Sequence, residues 1–170
     1  MDVLIGEAQL RERVSEMAGE IRRTFGPDVP VHFVSVLKGA FIFLADLVRA
    51  MEGPVTLDFI AVSSYGSGTT SSGEVRLTKD LDVSIEGHDV ILVEDIVDSG
   101  RTIHYLRRNL ETRHPRSLEV CTLLDKVERR QVEVTLDYVG FVIPDRFVVG
   151  YGFDLAGHYR GLPEIHSLED

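Results

Sequence analysis

Four short apolar runs constrain this chain more than any other feature. They are VHFVSVL (31–37), VTLDFIAVSSY (55–65), DVILVED (89–95) and SLEVCTLLD (117–125). Each is rich in β-branched residues and shorter than a typical helix, so each reads as a strand. DVILVED scarcely alternates with polar residues, the pattern of a strand covered on both faces, and SLEVCTLLD reads as another buried strand. Segments of helical character lie between them. KGAFIFLADLVRAM (38–51) begins at a glycine turn, and RTIHYLRRNLETRH (101–114) follows a Ser-Gly turn. Ahead of them, Leu10, Val14, Met17, Ala18, Ile21 and Phe25 fall on one face of a helix over 7–25, which GPDVP (26–30) breaks. Strand and helix in alternation predict an α/β fold with a mostly parallel central sheet flanked by helices.

The rest of the chain is read against that frame of strands. GSGTTSSG (66–73) contains only Gly, Ser and Thr, so it reads as a mobile excursion, with EVRLTKDL (74–81) as its return strand. YVGFVI and FVVGYGF, within 131–153, are two further strand candidates. A 170-residue chain with 44% hydrophobic residues suits one domain spanning 1–170. The formal net charge of -10 makes it a poor non-specific partner for nucleic acid, whose affinity comes from neutralised phosphates. An anionic ligand must therefore be caught by local groups. Cys121 is the single cysteine and reads as a small buried hydrophobe; nothing demands an oxidising compartment. The start MDVLIGEAQLRERV has no basic-then-apolar signal pattern, and no run approaches the roughly 20 residues of a membrane span. The expectation is a soluble, cytoplasmic protein with no membrane partner.

In sheets of this kind ligands bind at the carboxyl ends of the strands. Three such ends are unusual here: Leu37-Lys38-Gly39, Glu94 to Thr102, and Asp125-Lys126. The second, VILVEDIVDSGRT (90–102), crowds three carboxylates against an apolar strand. Like charges that close raise each other's pKa, so either water or a positive partner must meet them. Across DSGRT a strand gives way to a helix. Exposed backbone N–H groups there form an anion cradle, Gly100 admits close approach, and Ser99 and Thr102 offer hydroxyls. That suits a phosphate monoester. Glu94 and Asp95 can accept from sugar hydroxyls or hold Mg2+ directly or through its water. Asp95 stands where a Walker A loop wants glycine, and Ser71 spoils a dinucleotide reading of GSGTTS. The six histidines show no metal-ligand spacing.

VILVEDIVDSGRT resembles the ribose-phosphate signature of the phosphoribosyltransferases. VSVLKGAFIFLADL (34–47), SSYGS (63–67), TLLDK (122–126) and IPDRFVVGYGFDLAGHYRGLP (143–163) resemble the hypoxanthine-guanine, or 6-oxopurine, branch in its short bacterial form, in the expected order. The resemblance covers about residues 31 to 163. It implies the type I phosphoribosyltransferase fold, with a lid over about 64–80 and a small C-terminal hood over about 143–170. It implies transfer of 5-phosphoribosyl from its 1-pyrophosphate to hypoxanthine or guanine, with Mg2+ as cofactor. Asp98 to Thr102 (Asp98, Ser99, Gly100, Arg101, Thr102) would hold the 5′-phosphate, and Asp98 would take the proton from purine N7. Glu94 and Asp95 would face the ribose hydroxyls and the metal. Lys38 and Gly39 match the pyrophosphate loop, where the peptide before the lysine can be cis. Ser64 and Tyr65 head the lid. Lys126 would meet the purine 6-oxo group, Phe147 would stack on the ring and the Val148 backbone would read its edge. Asp154 matches a residue bound to a second Mg2+ through water, and Arg160 one that grips pyrophosphate. Members associate as homodimers or homotetramers.

Pattern alone reads several of these residues differently: Phe147 as core, Arg160 as a surface charge and the Lys38 segment as an ordinary glycine turn. Arg101 stands where many relatives have lysine, a change that backbone binding should tolerate. Asp125 stands where an apolar residue is expected in some relatives. A competing reading is an RNA-binding regulator of pyrimidine genes built on the same fold, against which the acidic charge weighs; a binding module without turnover is a third.

Overall fold

The computed structural model describes residues 1–64 and 75–168. Tyr65 and the Gly/Ser/Thr stretch therefore lie outside the described residues. Strands β2 (Val31–Leu37), β3 (Val55–Ser64), β4 (Val75–Lys79), β5 (Asp89–Val97), β6 (Ser117–Asp125) and β7 (Tyr138–Val142) form one sheet in the order β4-β3-β2-β5-β6-β7. All neighbours are parallel except β3 and β4. Helices α1 (Glu7–Phe25) and α2 (Phe41–Ala50) cover one face, and α3 (Arg101–Glu111) covers the other.

The uninterrupted apolar strands have their explanation in this layering. In β2, Val31 and Phe33 pack with Leu10, Met17, Ile21, Phe43 and Leu47 of α1 and α2, while Val34 and Val36 pack on the opposite side with Ile103 and Leu106 of α3. In β5, Ile91 and Val93 join the first core, and Val90 and Leu92 the second. Both alternating sets need cover, so both must be apolar. Each fully buried Leu, Ile or Phe side chain contributes about 1.5–3 kcal/mol of transfer free energy. Because β2, β3, β5 and β6 run parallel, Leu37, Ser64, Val97 and Asp125 end at a single rim.

A smaller antiparallel sheet joins β1 (Asp2–Ile5), β9 (Ile165–Leu168) and β8 (Phe147–Val149) in the order β1-β9-β8. Ile5, Val148 and Ile165 tie it to the α1 and α2 side of the core. The pattern of the sequence had predicted neither β1 nor β9. Other elements differ at their ends. The segment predicted as a helix from Lys38 forms α2 only from Phe41, because Lys38 to Ala40 make a turn closed by the Phe41 N–H donating to the Lys38 carbonyl at 3.2 Å. The α3 helix stops at Glu111, short of the predicted His114, which takes a φ of 59°. FVVGYGF is a strand only to Val149, since Gly150, Tyr151 and Gly152 have φ of 96°, 51° and 100°. The β5 strand runs two residues further than predicted, taking in Ile96 and Val97 beyond Glu94 and Asp95. The β4 strand covers Val75–Lys79, ending two residues short of the predicted Leu81, and Glu74 lies outside the described residues.

Candidate active site

Glu94 and Asp95 lie near the carboxyl end of β5. Glu94 is buried and Asp95 half-buried. Each carboxylate accepts from the next backbone N–H: Asp95 N to Glu94 Oε1 at 3.0 Å, and Ile96 N to Asp95 Oδ1 at 2.7 Å. Burial pushes the Glu94 carboxyl well above the usual range, and the Asp95 charge adds to it. Burial also raises Asp95, against which these hydrogen bonds and the Arg160 charge pull down. Ionising both carboxyls side by side at the rim is thus opposed by burial and, for Glu94, by its neighbour's charge. Gly39 makes that arrangement possible: a Cβ there would lie 1.8 Å from Asp95 Oδ2. The Leu37–Lys38 peptide just before it is cis, and the Lys38 side chain is exposed.

After β5 the chain turns through Asp98 to Gly100 into α3. Gly100 has φ of 87°, which glycine alone adopts freely. Ser99 Oγ accepts from Arg101 N at 3.3 Å. Glu94, Asp95, Asp98, Ser99, Gly100 and Thr102 line a pocket of about 120 Å³ at this helix start. The Arg101 side chain does not join it. It is exposed and lines an outer groove with His104, Tyr105 and Arg108, so of Arg101 only the backbone belongs to the cradle.

The segment after β6 braces this turn. Gln131 N and Val132 N donate to the Ser99 carbonyl at 2.9 and 3.2 Å, and Arg130 Nη1 reaches the Asp98 carbonyl at 3.4 Å. Arg130 also pairs with buried Asp125. That pair accounts for an acid where an apolar residue was expected: its charge is met by an arginine that simultaneously holds the phosphate-type turn.

Beside the cradle lies a cleft of about 590 Å³, lined by Asp98, Lys126, Arg129, Asp145, Arg146, Phe147 and Leu168. Lys126 is buried, its backbone N donates to the Val97 carbonyl at 3.0 Å, and its Nζ lies 3.6 Å from Asp145 Oδ1. Phe147 is half-exposed toward the cleft rather than packed as core, whereas Val148 is buried. Arg129 Nε donates to Asp98 Oδ1 at 3.0 Å. Sequence reasoning missed Arg129 and Asp145. Their only trace was the ERR run (128–130) just after Lys126 and an acid inside IPDRF.

The loop after β8 closes the other side. Arg160 Nη1 donates to the Gly152 carbonyl at 2.5 Å, and its Nη2 lies 3.2 Å from Asp154 Oδ1. Asp154 Oδ2 accepts from Gly157 N at 2.8 Å. A Cβ on Gly152 would lie 2.2 Å from the Gly39 carbonyl oxygen, so the two loops are in direct contact. Tyr151 anchors this loop by donating its hydroxyl to Asp46 of α2, and burial together with that acid pushes the phenol up. Of the residues that the resemblance singled out, Ser64 ends β3 at the same rim, and Tyr65 falls outside the described residues.

A parallel sheet bearing an acidic pair, an anion cradle at a helix start and an adjoining polar cleft defines the phosphoribosyltransferase class, and the chain belongs to that family: residues 6–155 match the phosphoribosyl transferase domain. It is similar to the hypoxanthine-guanine phosphoribosyltransferase of Aquifex aeolicus, at 46% identity over all of this chain and 96% of that protein. It is 51% identical to the hypoxanthine-guanine phosphoribosyltransferase of Mycobacterium avium over 98% of this chain and 85% of that one. In structure it resembles the hypoxanthine-guanine phosphoribosyltransferase of Bacillus anthracis crystallised with HEPES in the active site. That likeness has a TM-score of 0.94 and 51% identity, and covers 99% of each chain. The fold is the type I phosphoribosyltransferase fold. These matches lend no support to the RNA-binding regulator.

Proposed function

We infer that this chain transfers the 5-phosphoribosyl group of 5-phosphoribosyl 1-pyrophosphate to N9 of a 6-oxopurine, hypoxanthine or guanine, releasing pyrophosphate in purine salvage. The observation that carries it is the cleft in which Asp98, Lys126 and Phe147 surround one space next to the helix-start pocket. The pocket takes the 5′-phosphate on backbone N–H groups and hydroxyls. Phe147 offers a stacking face. Lys126 Nζ, a donor only, meets the 6-oxo oxygen. As the N9–C1′ bond forms and the C1′–O bond to pyrophosphate breaks, the N7 proton passes to Asp98. The sugar becomes cationic in that step, and a positive charge beside them would draw the Glu94 and Asp95 carboxyls toward their ionised forms. Arg160 and the Lys38-Gly39 turn receive pyrophosphate, and Ser64 with Tyr65 begins the lid.

The residues fit Mg2+ as an ion carried largely by substrate oxygens and water. Glu94 and Asp95 offer carboxylates at the rim, and Asp154 a third in the loop after β8, its oxygens met by Arg160 and the Gly157 N–H; acids so placed would hold the ion together with substrate oxygens and water. When bound, Mg2+ neutralises the pyrophosphate leaving group. Excess chelator should abolish activity; full activity in chelator would remove the metal assignment.

The hood is the C-terminal segment over about 143–170, which holds β8 and β9, the setting is cytoplasmic, and assembly as a homodimer or homotetramer is expected through surfaces near the lysine turn. The test of function is steady-state turnover with hypoxanthine, guanine, xanthine and adenine. Use of adenine comparable to hypoxanthine would overturn the 6-oxopurine reading.

A further inference from the structure

Four charged groups alternate around the purine cleft. Arg129 Nε donates to Asp98 Oδ1 at 3.0 Å, Arg129 Nη1 lies 3.5 Å from Asp145 Oδ2, and Asp145 Oδ1 lies 3.6 Å from Lys126 Nζ. One guanidinium therefore spans two carboxylates, and the second carboxylate holds the buried lysine. We propose that Arg129 is a positioning residue for the transfer step, fixing Asp98 and, through Asp145, Lys126 along the one edge of the bound purine that carries N7 and the 6-oxo group. The proposal rests on the roles of Asp98 and Lys126 argued above.

The backbone arrangement explains why a side chain is needed for this. Gln131, Val132 and Arg130 bind the carbonyls of Ser99 and Asp98, so they fix the main chain of the turn. They leave the Asp98 carboxyl free to rotate. Arg129 holds Oδ1, and Oδ2 is left to face the N7 proton. Arg129 itself sits in the short turn Val127–Arg129 directly after Lys126, its N–H donating to the Lys126 carbonyl at 3.0 Å. The acid and the lysine are thereby referenced to one rigid piece of chain. A planar fork can serve two carboxylates at once, whereas a lysine ammonium is a point charge on a flexible stem. The side chains of Arg129, Asp98 and Asp145 are 52%, 43% and 45% exposed. Ion pairs this accessible to water add little to stability, so the network's value lies in geometry, where small misplacements are costly to turnover.

Arg129→Gln should lower kcat with hypoxanthine by about 10–100-fold, at or below the low end of the roughly 10²–10⁴-fold that losing the proton acceptor outright costs, because the acid is misplaced and not removed. KM for the phosphoribosyl donor and Tm should stay within twofold and about two degrees. Arg129→Lys should recover part of the kcat loss, because one carboxylate can still be paired. Asp145→Asn should act mainly on KM for the base, since Lys126 loses its partner. A kcat for Arg129→Gln within twofold of wild type overturns the proposal, as does a loss matched by an equal rise in donor KM, which would mark general disruption. Asp98→Asn in the same assay separates the two levels. If it is fully active, the reading of Asp98 fails and takes this inference with it. If it is inactive beside a fully active Arg129→Gln, only the role of Arg129 fails.

Discussion

A lysine buried in a cleft selects between bases by what it can donate. Lys126 is buried and offers three N–H donors and no acceptor, so in the proposed role it would meet a 6-oxo oxygen and oppose the 6-amino group of adenine. Sites built for a polar partner reject the wrong analogue by about 10⁴–10⁵-fold, because the mismatch leaves a buried polar group without its partner. Lys126→Ala should therefore reduce kcat/KM for hypoxanthine and guanine far more than donor affinity, and narrow the gap to adenine. Kinetics with each base check this; an unchanged preference would assign discrimination to another group. Asp98→Asn should cost about 10²–10⁴-fold in turnover with donor KM little changed, since Ser99, Thr102 and backbone N–H groups make most of the cradle. Collapse of donor affinity with turnover intact would make Asp98 a binding residue. At this scale the sequence is legible where the residues are contiguous: VEDIVDSGRT places its acids, turn and hydroxyls by strand-to-helix geometry alone. Phe147 was ambiguous because its exposure depends on the cleft opposite. Arg129 was silent because its partners lie 31 residues back at Asp98 and across the cleft at Asp145.

Elements bring the parts of the site together by contact between glycines. Gly152 packs its Cα against the Gly39 carbonyl, while Gly39 in turn leaves room for Asp95. Thus the loop after β8, the turn after β2 and the end of β5 form one stack, pinned from outside by Tyr151 on Asp46. Gly152→Ala introduces a Cβ 2.2 Å from that carbonyl, at a φ of 100° where a side chain is strained by about 1–2 kcal/mol. The expected outcome is a rise of at least tenfold in donor KM, since the Gly39 turn and Arg160 lose their relation, with a lowered Tm. A variant with wild-type donor KM would show that the two loops act independently. The strands that form this frame were readable because burial on both faces demands apolar runs. The β1 and β9 strands were not, because each is four residues long, carries polar residues, and finds its partner at the other end of the chain, as in Val3 opposite His166.

Across the whole molecule the sheet separates function from stability. The carboxyl ends of the strands carry the candidate site, and the amino ends carry a buried histidine, His32, beside the exposed His88. His32, second residue of β2, has its Nδ1 2.7 Å from Thr56 Oγ1, its ring 5.5 Å from that of His88, and its Nε2 buried without a hydrogen bond. Burial holds the His32 pKa below its ordinary value, and His88 adds to the depression, while Asp58 opposes it. The sign of the linkage follows. Above about pH 6.5 neither folded nor unfolded His32 is protonated and no stability is lost; below it the unfolded chain takes up a proton that the folded chain resists, so stability falls. Glu94 and Asp95, raised in the fold, act in the opposite sense, so wild type alone would blur the effect. The comparison is with His32→Gln, which cannot titrate. Denaturant unfolding of both proteins without ligand should show wild type losing ground to the variant from about pH 6.5 down to about pH 5, by at most about 1.4 kcal/mol per pH unit for one proton. Turnover near neutral pH should be alike in both, because the pair lies at the end of the sheet remote from Asp98 and Lys126. A stability difference that stays constant with pH would mean that His32 is protonated equally in both states, and that its burial is not felt as a charge penalty.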